Sequence, residues 1–279
     1  MSHAALPRTP FSQLVARRRR DGNAVHFTIT DDWLQGRTTF GGLIAALGVK
    51  AMHDLAGDGL PPLRALQTSF AGPVGAGEMA VKVRVLRSGK NMRQVQAEVT
   101  QAGEDGAPAT AAVLLATFGH ARESVLPKLL PEAEPIAVAA EQAQRVPFVP
   151  GMTPAFIQHF DMRWAEGPVP YSGGDAWNTR LYLRLRDDVD VHPELRCVLL
   201  ADTPPTPAIG RLPQRAPSSS VTWALELRPL ADGTPLDAHF RMDMDTLAAS
   251  DGYVNQRGLL WAPDGALVAL AYQVVAVYA

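Results

Sequence analysis

Apolar and polar positions along the chain change period in the same order twice. In residues 67–119 a small, proline-bearing segment (Phe70, Ala71, Gly72, Pro73) leads into an alternating run from Met79 to Leu86. A polar turn at Ser88-Gly89, a second alternating run from Arg93 to Gln101, a charged turn at Glu104-Asp105-Gly106 and a last apolar run from Ala111 to Phe118 follow. Residues 219–278 repeat the layout with Leu227-Arg228-Pro229, His239 to Met244, Ser250-Asp251-Gly252, Asn255 to Trp261, Pro263-Asp264-Gly265 and Leu267 to Val277. Period-two alternation bounded by turn residues predicts strands. Two copies of one layout predict a duplicated antiparallel unit that buries one sheet against the other.

A helical period precedes each set of strands. From Gly41, the residues Leu43, Ile44, Leu47, Ala51 and Leu55 recur at helical spacing until Gly57-Asp58-Gly59 and Pro61-Pro62 stop the run, which predicts a buried helix of about four turns. In the second copy His192-Pro193-Glu194 opens a helix with apolar Leu195, Val198, Leu199 and Ala201, and Thr203-Pro204-Pro205 closes it. Three strands are expected after each helix. Strand-like runs at His26 to Thr30, Ala155 to Trp164 and Trp177 to Arg186 come before them. These periods divide the chain into an N-terminal segment (1–25), a first unit (26–124), a linker rich in Pro, Ala and Glu (125–150) and a second unit (151–279).

Composition removes several function classes. With 279 residues, 47% apolar and 19% charged, the chain can bury one large core or two small ones. A formal net charge of −2 gives no electrostatic footprint for nucleic acid. One cysteine, Cys197, excludes an intramolecular disulfide framework and suits a reducing cytoplasm. No apolar run reaches the roughly 18 residues of a membrane span, and no cationic-then-apolar leader opens the sequence, so a cytoplasmic location is expected. The basic run Arg17 to Arg20 reads as a phosphate patch or, in the blander reading favoured here, as the solvated end of a short helix.

The layout, together with Arg37-Thr38-Thr39-Phe40-Gly41-Gly42-Leu43, Leu66 to Pro73, Ala201-Asp202, Arg228-Pro229 and Asp264-Gly265 through Ala271-Tyr272-Gln273, resembles the acyl-CoA thioesterase II family. That resemblance covers most of residues 30–119 and 177–278. It implies an α+β fold, a tandem double hotdog in which two curled antiparallel sheets each wrap a central helix, and hydrolysis of an acyl-CoA with no cofactor. Carried over by position, the family's water-holding carboxylate, hydroxyl and glutamine fall on Asp202, Ser219 and Gln273. Ser219 lies ten residues before Pro229 inside Ser218-Ser219-Ser220, so its two neighbours are alternatives, and Gln273 lies eight after Gly265. The chain departs from the family at Trp223-Ala224-Leu225-Glu226-Leu227, where an aromatic-His segment is usual.

The residues themselves support this chemistry unevenly. Asp202 closes a largely apolar helix, where poor solvation raises a carboxyl's proton affinity and a helix C-terminus gives no help to a negative charge; the bland reading is a solvated helix end. Gln273 is a lone amide among Val268, Ala269, Leu270, Ala271, Tyr272, Val274 and Val275, so burial demands a partner. A serine triplet at a strand entrance is equally ordinary loop chemistry. Gly41 and Gly42 are candidate substrate-binding residues at a helix start, or simply a tight entry turn. Asp243 and Asp245 share a strand face that suits a hard cation or, more often, solvent. Seven histidines without a paired spacing, and Cys197 among apolar residues, predict neither zinc site nor thiol nucleophile.

Two other readings keep the duplicated core. An enoyl-CoA hydratase pairs its aspartate with a histidine, and none follows Asp202 within several residues. A non-catalytic acyl-CoA or fatty-acid binding protein would use the core for binding alone. Exposed sheet edges also leave room for a homodimer or higher oligomer.

Overall fold

The structure is a computed structural model that describes residues 7–103, 105–186 and 190–279. The turn residue Glu104 and the first six residues of the N-terminal segment lie outside the described residues.

A short helix α1 (Phe11–Ala16) and strands β1 (Arg19–Asp21) and β2 (Ala24–Ile29) open the chain, followed by a small ribbon of β3 (Leu34–Gln35) and β4 (Thr38–Thr39). The long helix α2 (Gly41–Leu55) comes next, then β5 (Leu63–Phe70), β6 (Gly77–Ser88), β7 (Met92–Ala102) and β8 (Pro108–Gly119). Beyond a long connection with one two-residue strand, β9 (Gln144–Arg145), come β10 (Phe160–Glu166), β11 (Asn178–Leu185) and helix α3 (Pro193–Ala201). The chain ends with β12 (Ser218–Leu227), β13 (Phe240–Ser250), β14 (Tyr253–Trp261) and β15 (Leu267–Val277).

Among the described residues, thirteen strands make one antiparallel sheet in the order β1-β2-β6-β7-β8-β5-β12-β15-β14-β13-β11-β10-β9. The order is symmetric about its centre: β2-β6-β7-β8-β5 on one side matches β11-β13-β14-β15-β12 on the other, with α2 following β2 and α3 following β11 along the chain. Among the described residues four strands, not three, follow each helix. The additional ones, β5 and β12, pair with each other, Thr222 opposite Ser69 and Leu225 opposite Leu66, and join the two half-sheets.

Packing follows the predicted periods. In α2 Leu43, Leu47, Val49 and Ala51 have no exposed surface, and a Cβ on Gly48 would come within 2.7 Å of Leu114, so the bare backbone lets β8 approach. In β11 the residues Leu181, Leu183 and Leu185 are buried while Arg180, Tyr182 and Arg184 face outward. One apolar core runs through both halves, from Leu43 and Leu114 to Leu199 and Leu260, and α2 and α3 pack directly on each other. Residues Ala155–His159, expected to begin a strand, form a 3-10 turn instead, burying Phe156 and Ile157 before the strand starts at Phe160. An apolar run of that length satisfies either geometry, and the Pro154 before it sets the turn.

The basic run also departs from the expectation of a solvated end. Arg18 and Arg20 both pair with Asp54 near the end of α2, as does Lys50. The N-terminal segment is thereby fastened to the first central helix. Among the described residues no helix is long and apolar enough to cross a membrane.

Candidate active site

Helix α3 stops at Ala201 because Pro204 and Pro205 cannot continue it, and Thr203 turns its hydroxyl back onto the Leu199 carbonyl at 2.8 Å. Asp202 is left as the C-terminal cap, its carboxylate crossing to the start of α2. There the Gly42 backbone amide acts on it to lower its proton affinity, at a helix start that no side chain of Phe40 caps. The two glycines are required by closeness: a Cβ on Gly41 would lie 2.9 Å from Asp202 Oδ2, and one on Gly42 would lie 3.1 Å from Asp202 Cβ and 2.5 Å from the Phe40 ring. Neither has positive φ. Their place is thus against the carboxylate.

Gln273 of β15 completes the group. Its Nε2 donates to Asp202 Oδ1 at 3.0 Å and to Ser220 Oγ at 2.7 Å, while its Oε1 accepts from Gln256 Nε2 at 2.6 Å. The hydroxyl brought to the glutamine therefore belongs to Ser220, one residue beyond the position carried over by register. Ser219 points elsewhere, its Oγ 3.4 Å from the Ser220 carbonyl. The cause is an irregularity in the β12–β15 ladder between Ser220 and Thr222, which shifts the facing of the serines by one. Nothing in the triplet marks that bulge.

Burial pushes the Asp202 carboxyl up to about 7, against the opposing hydrogen bonds from Gln273 and the Gly42 N–H. One edge of the side chain still meets a cavity of about 430 Å³. Ser218, Ser219, Ser220 and Gln273 share its wall with Asp202, Arg145 and Arg215 also line it, and Phe156, Ile157, Met162, Trp164 and Ile209 are among its apolar side chains. A mostly apolar hollow of this size with a few convergent polar groups suits a small hydrophobic ligand. Gln256, with 2% of its surface exposed, is a member of the group that its sequence context, Asn255-Gln256-Arg257, disguises as a solvated strand face.

The remaining candidates sit elsewhere. Asp243 is held by Arg241, Arg180 and the Trp261 indole, and Asp245 by Arg180 and Arg257, so ion pairs occupy both carboxylates. Burial pushes the Cys197 thiol up to about 12, far from a reactive thiolate. The scattered histidines do converge once among the described residues: His53, His192 and Glu194 place their donor atoms within 4.8 Å of one another where α2 ends and α3 begins. Glu194 there accepts from His53 Nε2 at 3.1 Å and from the Leu63 N–H at 2.8 Å.

Comparison with known proteins adds to this geometry. Residues 29–119 match the family model of the acyl-CoA thioesterase N-terminal domain, and residues 138–277 match that of the acyl-CoA thioesterase C-terminal domain. No curated protein matches the chain. Among solved structures it is similar to a conserved protein of unknown function with hot dog fold from Alicyclobacillus acidocaldarius, 22% identical over 96% of this chain and 98% of that one, with a TM-score of 0.81. The tesB protein of Mycobacterium avium subsp. paratuberculosis is 16% identical, with 97% and 100% covered and a TM-score of 0.75. Acyl-CoA thioesterase II TesB2 of Mycobacterium marinum is 17% identical, with 96% and 98% covered and a TM-score of 0.71. At these identities the likeness extends to the fold.

Proposed function

Since the chain belongs to the acyl-CoA thioesterase family, we propose that it hydrolyses acyl-CoA thioesters, with Asp202 as the base that activates water. The observation that carries this reading is the chain of hydrogen bonds from Ser220 through Gln273 to Asp202 at the wall of a largely apolar cavity. A tandem double hotdog with units near 26–124 and 151–279 is the architecture proposed with it, and the repeated strand order supports that division.

In this reading the acyl chain lies in the cavity and its carbonyl carbon faces a water held by Asp202, whose carboxylate Gln273 orients. Asp202 takes a proton as the water oxygen bonds to that carbon. The Ser220 hydroxyl, which accepts from Gln273, keeps its own hydrogen free to steady the oxygen that becomes negative. Collapse of the adduct breaks the carbon–sulfur bond, and the proton on Asp202 passes to the departing CoA thiolate. Free acid and CoA are released. A carboxyl near 7 is suited to both steps, since it gains and returns a proton at neutral pH. Asp202 accepts from the Gln273 amide, a setting with no histidine partner among the described residues of the kind the hydratase reading calls for.

Release of free thiol from short, medium, long and aromatic acyl-CoAs tests the proposal. Turnover of at least one class by the native chain, lost on Asp202→Ala with binding retained, is the expected result. A native chain that binds acyl-CoA and turns over none of the panel would give the binding-protein reading its place.

A further inference from the structure

We infer that Gln256 is a positioning residue of this site, its side-chain amide deciding which end of the Gln273 amide faces Asp202 and Ser220. The inference rests on the hydrolase reading of the same site. Gln256 stands on β14 directly opposite Gln273 on β15, with 2% of its surface exposed.

A primary amide has two ends of nearly equal size and opposite hydrogen-bonding character. Turned over, Gln273 would press its carbonyl oxygen against the Asp202 carboxylate and leave Ser220 without a donor. Gln256 acts against that state by placing an N–H donor 2.6 Å from the Gln273 oxygen. With the oxygen held there, both Gln273 hydrogens go to Asp202 Oδ1 and Ser220 Oγ. Ser220 is consequently an acceptor toward Gln273 and a donor toward the cavity. One buried amide sets the polarity of three groups.

The burial of Gln256 has a cost that points the same way. Its own Oε1 is buried without a hydrogen-bond partner among the described residues, and such an oxygen destabilises a fold where an apolar side chain of equal shape would not. The retained contact is the one made to Gln273.

The test compares the native chain with Gln256→Met, which keeps the shape and removes the polar atoms, and with Gln256→Leu should the first variant fail to fold. Two readouts are taken: steady-state hydrolysis of an acyl-CoA across pH, and the titration midpoint of Asp202 followed by carboxyl carbon NMR without substrate. Burial, the Gln273 amide and the Gly42 N–H act on that carboxyl, so loosening the amide moves the midpoint upward. The expected result is kcat down about tenfold, KM within about twofold, and the acid limb and the NMR midpoint displaced upward together, with a melting temperature equal to or above native. Unchanged kcat and an unchanged midpoint in a folded variant would overturn the inference. If the native chain hydrolyses nothing, an upward midpoint still sustains the positioning role and removes only the hydrolase reading, whereas a fixed midpoint removes both.

Discussion

The two helices α2 and α3 meet at two junctions, and α3 with its cap brings a carboxylate to each. Where α2 ends and α3 begins, Glu194 lies 3.1 Å from His53 and 2.8 Å from the Leu63 N–H, and these contacts, against the penalty of burial, hold its carboxyl below the ordinary value. Where α3 ends and α2 begins, Asp202 meets only neutral donors, and burial carries it from 3.8 up to about 7. The residues are alike in chemistry and both bridge the halves. What separates them is compensation: a carboxylate beside a histidine is spent on holding the helices together, and one surrounded by amides keeps its proton affinity available for reaction.

Removing the uncompensated charge should have the largest effect. Asp202→Asn is expected to lower kcat by about 10²–10⁴, the range for loss of a general base, and in the native chain kcat/KM should rise with pH to a half-maximum near 7 as Asp202 ionises. Stability should move the opposite way. The folded carboxyl binds its proton more tightly than the unfolded one, so the native state is most favoured below pH 4 and loses stability as pH climbs toward 7. The gap between 3.8 and about 7 corresponds to at most about 4 kcal/mol. Asp202→Asn should therefore melt above the native chain at pH 8 and converge with it at pH 4. Thermal scans at the two pH values, beside the rate profile, check both halves of the statement.

A smaller effect is expected from the partner side of that junction. In Gly42→Ala the new methyl meets the Phe40 ring at 2.5 Å and Asp202 Cβ at 3.1 Å, so the ring or the helix start must move. Overpacking of this kind costs about 1–3 kcal/mol. Asp202 should shift with it, giving a lower denaturation midpoint and a lower kcat in the same variant.

The contrast between the junctions was only partly legible in the amino-acid sequence. Leu43, Ile44, Leu47 and Ala51 announce α2 because a helix packed against both strands and a second helix must be apolar on several faces, and Leu181, Leu183 and Leu185 announce β11 because one face alone is buried. Asp202 stood out as a carboxylate after an apolar helix, and Gln273 as an amide inside an apolar strand. Ser220 did not, since the choice within Ser218-Ser219-Ser220 depends on a bulge that only the pairing with β15 creates. Gln256 was hidden for a similar reason: between Asn255 and Arg257 it reads as polar surface, and its burial follows from facing Gln273 across the ladder. The pairing of Glu194 with His53 joins positions 141 residues apart, beyond the reach of any local spacing.

Glu194→Gln tests the compensated junction and should be the mildest of the three. The glutamine keeps the shape and can still accept the Leu63 N–H, so the loss is confined to the charge shared with His53, about 1–2 kcal/mol for a charge-assisted bond at a partly buried site. A carboxyl held below its ordinary value adds stability above the unfolded value of about 4.5 and gives it up as pH falls through the folded value. The variant should accordingly be less stable than the native chain between pH 6 and 8, and the difference should close below about pH 4.5, in the opposite sense to Asp202→Asn. Its kcat at pH 7 should stay within about twofold of native, because nothing at this junction touches the cavity that Asp202 faces. A tenfold fall in kcat with the fold intact would mean that the helix pair transmits strain from one end to the other, and that compensation alone does not separate a structural carboxylate from a reactive one.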